Sequence, residues 1–231
     1  MKRNQSGFTL IEIAIVLVII GLLLGGVLKG QELINSARVK NLATDFRNIP
    51  VYIYGYQDKF RALPGDDMQA ASHVGGTGIN VATCSTSSSC NLGNGMIDGN
   101  WNDISTASES YLFWQQVRLA GLAAGPTDPT TTPGVAFLPS NASGGIIGIQ
   151  SASTTLPPIK DINNQPIRGS YVICSQGILG KFAKQLDIQM DDGNTSTGSM
   201  IVGLPQPAGT SMTAVTPPLD DSTTYTVCMG V

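Results

Sequence analysis

Phe8 to Leu28 is a run of 21 residues that carries one charge, at Glu12. As a helix rising about 1.5 Å per residue, it reaches the ~30 Å thickness of a bilayer's hydrocarbon core and is long enough to span a membrane. Lys2 and Arg3 precede it, so the positive-inside tendency keeps the N-terminus cytoplasmic and sends everything after Leu28 to the outer side. The chain reads as single-pass and N-in. Glu12 is at odds with its surroundings, because an ionisable side chain inside such a segment costs on the order of a few kcal/mol unless it finds a partner.

A secretory signal peptide would have an apolar core of about 7–15 residues and a small-x-small cut site. This run is longer, holds a carboxylate near its start and continues into a helical pattern without such a site. A plain membrane anchor leaves Glu12 unexplained. The stretch Gly7-Phe8-Thr9-Leu10-Ile11-Glu12 resembles the processing and methylation site of type IV pilins and of the pseudopilins of type II secretion systems. The resemblance implies that a prepilin peptidase cuts after Gly7 and methylates the new amine of Phe8, and that Glu12 serves subunit assembly. It also implies other pilin subunits and an inner-membrane assembly platform as partners. The destination it implies is an extracellular pilus or a periplasmic pseudopilus, reached from the inner membrane.

The chemistry of that implication is sound. Cleavage would create an α-ammonium at Phe8, and an ammonium paired with Glu12 of a neighbouring subunit offsets the desolvation that either charge would suffer alone. Many pilins carry a proline soon after the membrane segment. Here that neighbourhood holds Gly25, Gly26 and Gly30 instead, each costing a helix roughly 1 kcal/mol relative to alanine.

Beyond Leu28 the pattern turns amphipathic without a break. Val39, Leu42, Phe46, Ile49, Ile53, Tyr56, Phe60 and Leu63 recur at spacings of three and four, which places them on one stripe of a helix. The reading is one helix from Phe8 to Phe60, bent at Pro50, with its outer half packed on a head domain. Pro64-Gly65 marks its end. The expected division is a leader over 1–7, a transmembrane and assembly helix over 8–62, and a globular head over 63–231. The fold class is α+β: a long N-terminal helix packed on a head with an antiparallel sheet and short helices.

Within the head, a helix is expected over Ala107–Ala120 and another carrying Leu179, Phe182, Ala183, Leu186 and Met190. Strands are expected at Gly145–Gln150, Gly169–Cys174, Ser199–Leu204 and Thr224–Val227. Cys84, Cys90, Cys174 and Cys228 allow three connectivities; proximity in sequence favours Cys84–Cys90 with Cys174–Cys228. All four follow the membrane segment, on the side where disulfides persist.

Asp98, Asn100, Asn102 and Glu109 occupy the first, third, fifth and last ligand positions of a calcium-loop pattern, which Asp103 breaks at the position of the sharp-turn glycine. Thr106-x-x-Glu109 also fits a capping box, which would occupy Glu109 with a backbone amide. If calcium binds, it should do so weakly, as in extracellular modules. Asp187 with Asp191-Asp192-Gly193 is a second oxygen-rich stretch that turn chemistry also explains. No other cofactor is indicated.

Charge is uneven: eight Lys/Arg against four Asp/Glu over residues 1–61, then five against twelve, for −3 in all. The acidic distal part argues against general nucleic-acid binding. No nucleophile elbow, phosphate loop or zinc-hydrolase motif is present, and the lone His73 has no partner that the sequence identifies, so no catalytic residue is assigned.

Overall fold

The computed structural model describes residues 10–153 and 155–231. The chain falls into two compact units, Met1–Arg38 and Val39–Val231. A single helix, α1 (Leu10–Phe60, 51 residues), contributes to both, and its helical assignment continues through Pro50. In the first unit the described apolar side chains are open: Leu10 is 92% exposed, and Leu17, Leu22 and Leu28 are each more than 60% exposed. In the second unit most of the stripe read from the sequence is covered: Val39, Leu42, Phe46, Ile49, Ile53 and Tyr56 are buried, as is Ala43, whereas Phe60 is half-buried and Leu63, also buried, lies beyond the helix end. The helix stops where Arg61 turns into the left-handed region (φ 57°), its amide still reaching the Gln57 carbonyl at 2.9 Å.

The head is α+β. Its four-stranded antiparallel sheet has the order β1 (Ile147–Ser151), β3 (Tyr171–Leu179), β6 (Thr224–Gly230), β4 (Met200–Gly203). Besides a short α2 (Ala70–His73), the head has two longer helices, α3 (Glu109–Leu119) and α4 (Gly180–Met190), and a 3₁₀ turn at Gly134–Phe137. The two-residue strands β2 (Ile159–Lys160) and β5 (Met212–Thr213) form a separate parallel pair.

Alternation along the strands sorts their side chains onto two faces. Ile173, Val227, Met229, Met200 and Val202 join the main core with the α1 stripe, with Phe113 and Val117 of α3, and with Phe182 and Leu186 of α4. Val172, Cys174, Cys228 and Ile201 point the other way, into a smaller core with Trp101, Ile159, Ile167 and Met212. The loop carrying Trp101 lies directly on β1. Its amide donates to Gln150 Oε1 at 3.0 Å, and a Cβ at Gly148 would collide with the Trp101 carbonyl, so only glycine fits there.

Several boundaries differ from the sequence expectation. The strand expected to stop at Cys174 runs to Leu179, because a bulge between Ser175 and Ile178, with Gly177 at φ 76°, absorbs the irregular stretch without ending the pairing. The last strand extends to Gly230. Helix α3 starts at Glu109, not Ala107, with Ser108 as its cap residue, so Glu109 is the first helical residue and the expected capping box does not form. The short α2, β2 and β5 were not anticipated.

Phe46 is about 1% exposed in the main core. Phe46→Ala should cost the head about 3–5 kcal/mol, the usual penalty for emptying a buried phenylalanine site. In a head of this size that lowers the melting temperature by roughly 10 °C, which thermal denaturation followed by circular dichroism will register.

Candidate functional site

The first unit presents one chemical feature, a helix whose apolar surface is uncovered. Leu10–Phe60 contains a stretch long and apolar enough to cross a membrane, and none of that window is buried within the chain. Glu12 lies in its first turn. Gly21, Gly25, Gly26 and Gly30 have nothing within 4 Å of the position a Cβ would take, so packing within the chain does not require glycine at any of them. Lys29 and Glu32 pair at 2.7 Å on the exposed surface just beyond the apolar run, an arrangement worth little in water. Gly7 and Phe8, the residues implied in cleavage and methylation, lie outside the described residues.

In the head, the structure joins Cys84 to Cys90 and Cys174 to Cys228. The second pair sits directly opposite in the β3–β6 register, fully buried, with Cα atoms 4.1 Å apart. It closes a loop of 54 residues, which by chain entropy stabilises the fold by about 4 kcal/mol, against about 2 kcal/mol for the six-residue separation of Cys84 and Cys90.

The residues matched to a calcium loop are each committed to protein partners. Glu109 is fully buried, and its two oxygens accept the amides of Asn91 at 2.6 Å and Asp98 at 2.8 Å. Asp98 Oδ2 accepts from Asn94 Nδ2 at 2.8 Å, Asn100 donates to both oxygens of Asp103, and Asn102 Nδ2 donates to the Gln206 carbonyl. A calcium loop needs bidentate ligation from its last residue, and Glu109 would have to release both amides to supply it. In the geometry observed, it staples the 91–98 loop to the first turn of α3, where a carboxylate also suits the positive end of the helix dipole.

Sequence reasoning missed the corner that follows α1. Asp66 and Asp67 are both about 5% exposed. The Asp66 carboxylate accepts the amides of Gly93, Asn94 (3.2 Å) and Gly95 (2.7 Å). Asp67 accepts the Tyr56 hydroxyl at 2.7 Å and the Gln69 amide at 2.8 Å, and its Oδ2 lies 2.7 Å from His73 Nδ1. His73 thus has the partner the sequence did not reveal, and its ring also stacks on Phe60 with centroids 5.2 Å apart. A cleft of about 700 Å³ opens here, lined by Phe60, Arg61, Asp66, Asp67, His73 and Tyr171 among others. The only sequence signal was two adjacent aspartates at a Pro-Gly turn.

Against known proteins, the likeness is confined to the start of the chain. Residues 2–28 match the family model described as the prokaryotic N-terminal methylation motif. No curated protein and no solved structure matches the chain. The motif supports a type IV pilin or a pseudopilin, and it implies a structural subunit that is processed by a prepilin peptidase and assembled with other pilins. Together with the uncovered apolar helix, it fits a protein anchored in the inner membrane.

Burial pushes the Glu109 carboxyl up to about 7, opposed by its two amide donors and reinforced by the nearby charges of Asp98 and Asp66. A raised carboxyl pKa means that the folded chain keeps a proton the unfolded chain has lost, so stability falls as pH rises from about 4.5 to about 7. Asp45, raised by burial to about 6, acts in the same direction. Glu109→Gln should remove its share of that slope. It should also lower stability throughout by about 1–3 kcal/mol, since one amide would then face an NH₂ group; denaturant melts of wild type and variant across pH 4–8 will separate the two effects.

Proposed function

We propose that the chain is a type IV pilin, a major or minor subunit of a surface filament used for adhesion, motility or uptake. The observation that carries this reading is the methylation motif over residues 2–28, running straight into a helix whose apolar surface the chain leaves uncovered. Residues 1–7 are the leader, removed after Gly7; Phe8 becomes the N-methylated first residue; 8–62 form the membrane and assembly helix; and 63–231 form the head. Before assembly the subunit is single-pass with its N-terminus cytoplasmic, held by the same apolar surface that later packs against other subunits. Such a transfer exchanges lipid for protein around an unchanged helix.

Glu12 is the residue that sets register in this exchange. Its carboxylate pairs with the Phe8 ammonium of a neighbouring subunit, because neither charge is tolerated alone in hydrocarbon. The disulfide-tied head suits a filament exposed outside the cell.

Mass spectrometry of the mature protein tests processing: a chain lacking Met1–Gly7 and bearing one methyl on the Phe8 amine is expected, and a chain that retains the leader removes the assembly reading. Glu12→Ala should be processed normally yet enter filaments poorly, as measured by the ratio of sheared to membrane-bound subunit. Electron microscopy decides between systems. Extracellular filaments that label with antibody to the head support the pilin, whereas a processed subunit found only in short periplasmic assemblies transfers the reading to a type II secretion pseudopilin.

A further inference from the structure

Asp187 lies in the last turn of α4 and is fully buried, yet neither of its carboxylate oxygens has a hydrogen-bond partner. The Gly193 amide exerts a weak favourable pull on it without reaching hydrogen-bond geometry. A buried carboxylate left in this state is among the least favourable arrangements a chain can hold. Asp191, the residue that caps the helix, and Asp192 stand beside it, and oxygens of all three lie within 4.8 Å of one another. The helix dipole adds to the repulsion, since three carboxylates gather at its negative end and the last turn contains no basic residue.

We propose that Asp187, Asp191 and Asp192 bind one calcium ion between the end of α4 and the start of β4. A proton on Asp187 would cancel one charge, but its two oxygens would still lack hydrogen bonds; a cation answers both deficits. The spacing accommodates calcium, whose bound oxygens, at about 2.3–2.6 Å, stand at most ~5 Å apart, and calcium's flexible coordination by carboxylate oxygens suits an irregular set from a helix end and a turn better than the near-ideal octahedron that magnesium demands.

Access and anchoring are also in place. Asp187 is buried, Asp191 half-buried and Asp192 exposed, so the three form a path from solvent inward. Asp191 Oδ2 accepts the Met200 amide at 2.8 Å and Asp192 Oδ1 the Asn194 amide at 2.8 Å, which leaves the second oxygen of each carboxylate to bind. Because Met200 opens β4, the ion would fasten the helix end to an edge strand of the main sheet.

Calorimetric titration and thermal melts of the full chain in detergent, stripped of metal beforehand, test the proposal. Wild type should bind one calcium and gain several degrees in melting temperature. Asp187→Asn should abolish the gain while remaining at least as stable as wild type without metal. Asp192→Asn, at an exposed position and with a side-chain oxygen that can still accept the Asn194 amide, should weaken binding at least about tenfold, and it decides the matter if the first variant fails to fold. Asp98→Ala should respond to calcium as wild type does.

Absence of heat and of any thermal shift in wild type at about 10 mM calcium, beyond the ~10⁻³ M range of weak extracellular sites, overturns the proposal. So does a response retained in both Asp187→Asn and Asp192→Asn, or one lost in Asp98→Ala alone. An equal response to magnesium overturns the choice of ion.

Discussion

The head depends on burying the α1 stripe. Six side chains from Val39 to Ile53 enter the main core, each large apolar one contributing about 1.5–3 kcal/mol when fully removed from water, and Tyr56 is buried as well. Without them, the core that the four-stranded sheet shares with α3 and α4 would lose its α1 side. The same helix has no such cover over its first unit, where the pattern changes from a stripe to apolar side chains all round. One secondary-structure element therefore carries two patterns, apolar all round as far as Leu28 and a single buried stripe from Val39.

Buried carboxylates form a second theme. Asp66 and Glu109 are each turned onto backbone amides, and Asp67 onto a tyrosine hydroxyl, a backbone amide and a histidine. These residues tie loops that lack regular structure to the ends of α1 and α3, replacing hydrogen bonds that a strand or helix would otherwise supply. Asp187 alone of the four has no hydrogen bond to its carboxylate oxygens, and that contrast separates a structural staple from a candidate ligand.

What the sequence revealed follows the range of the interactions concerned. The apolar run, the α1 stripe and α4 were legible because helical periodicity is written within a few turns. The strands around Cys174 and Cys228 were legible as β-branched runs, but their ends were not: the bulge after Ser175 looks like a terminus in sequence and is carried by pairing to β6. The start of α3 was misplaced because Thr106 and Glu109 imitate a capping box, whereas Glu109 is held by Asn91 and Asp98 from a preceding loop. The parallel contact of β2 with β5 joins distant parts of the chain through the fold, and nothing local announces it; Asp67 and His73 lie six residues apart, but the four-residue α2 that brings them together is too short to show a helical period.

The position of β6 has a consequence for how the molecule is made. It is the last strand in the chain, yet it lies between β3 and β4, and Val231 closes backbone bonds to Ser170 and Tyr171. The β1–β3 pair can therefore form first, while β4 has no partner in this sheet until Thr224–Gly230 has been made. Cys84 and Cys90 precede the other two cysteines and lie only six residues apart, so their pairing leaves Cys174 and Cys228 to each other once β6 is in place.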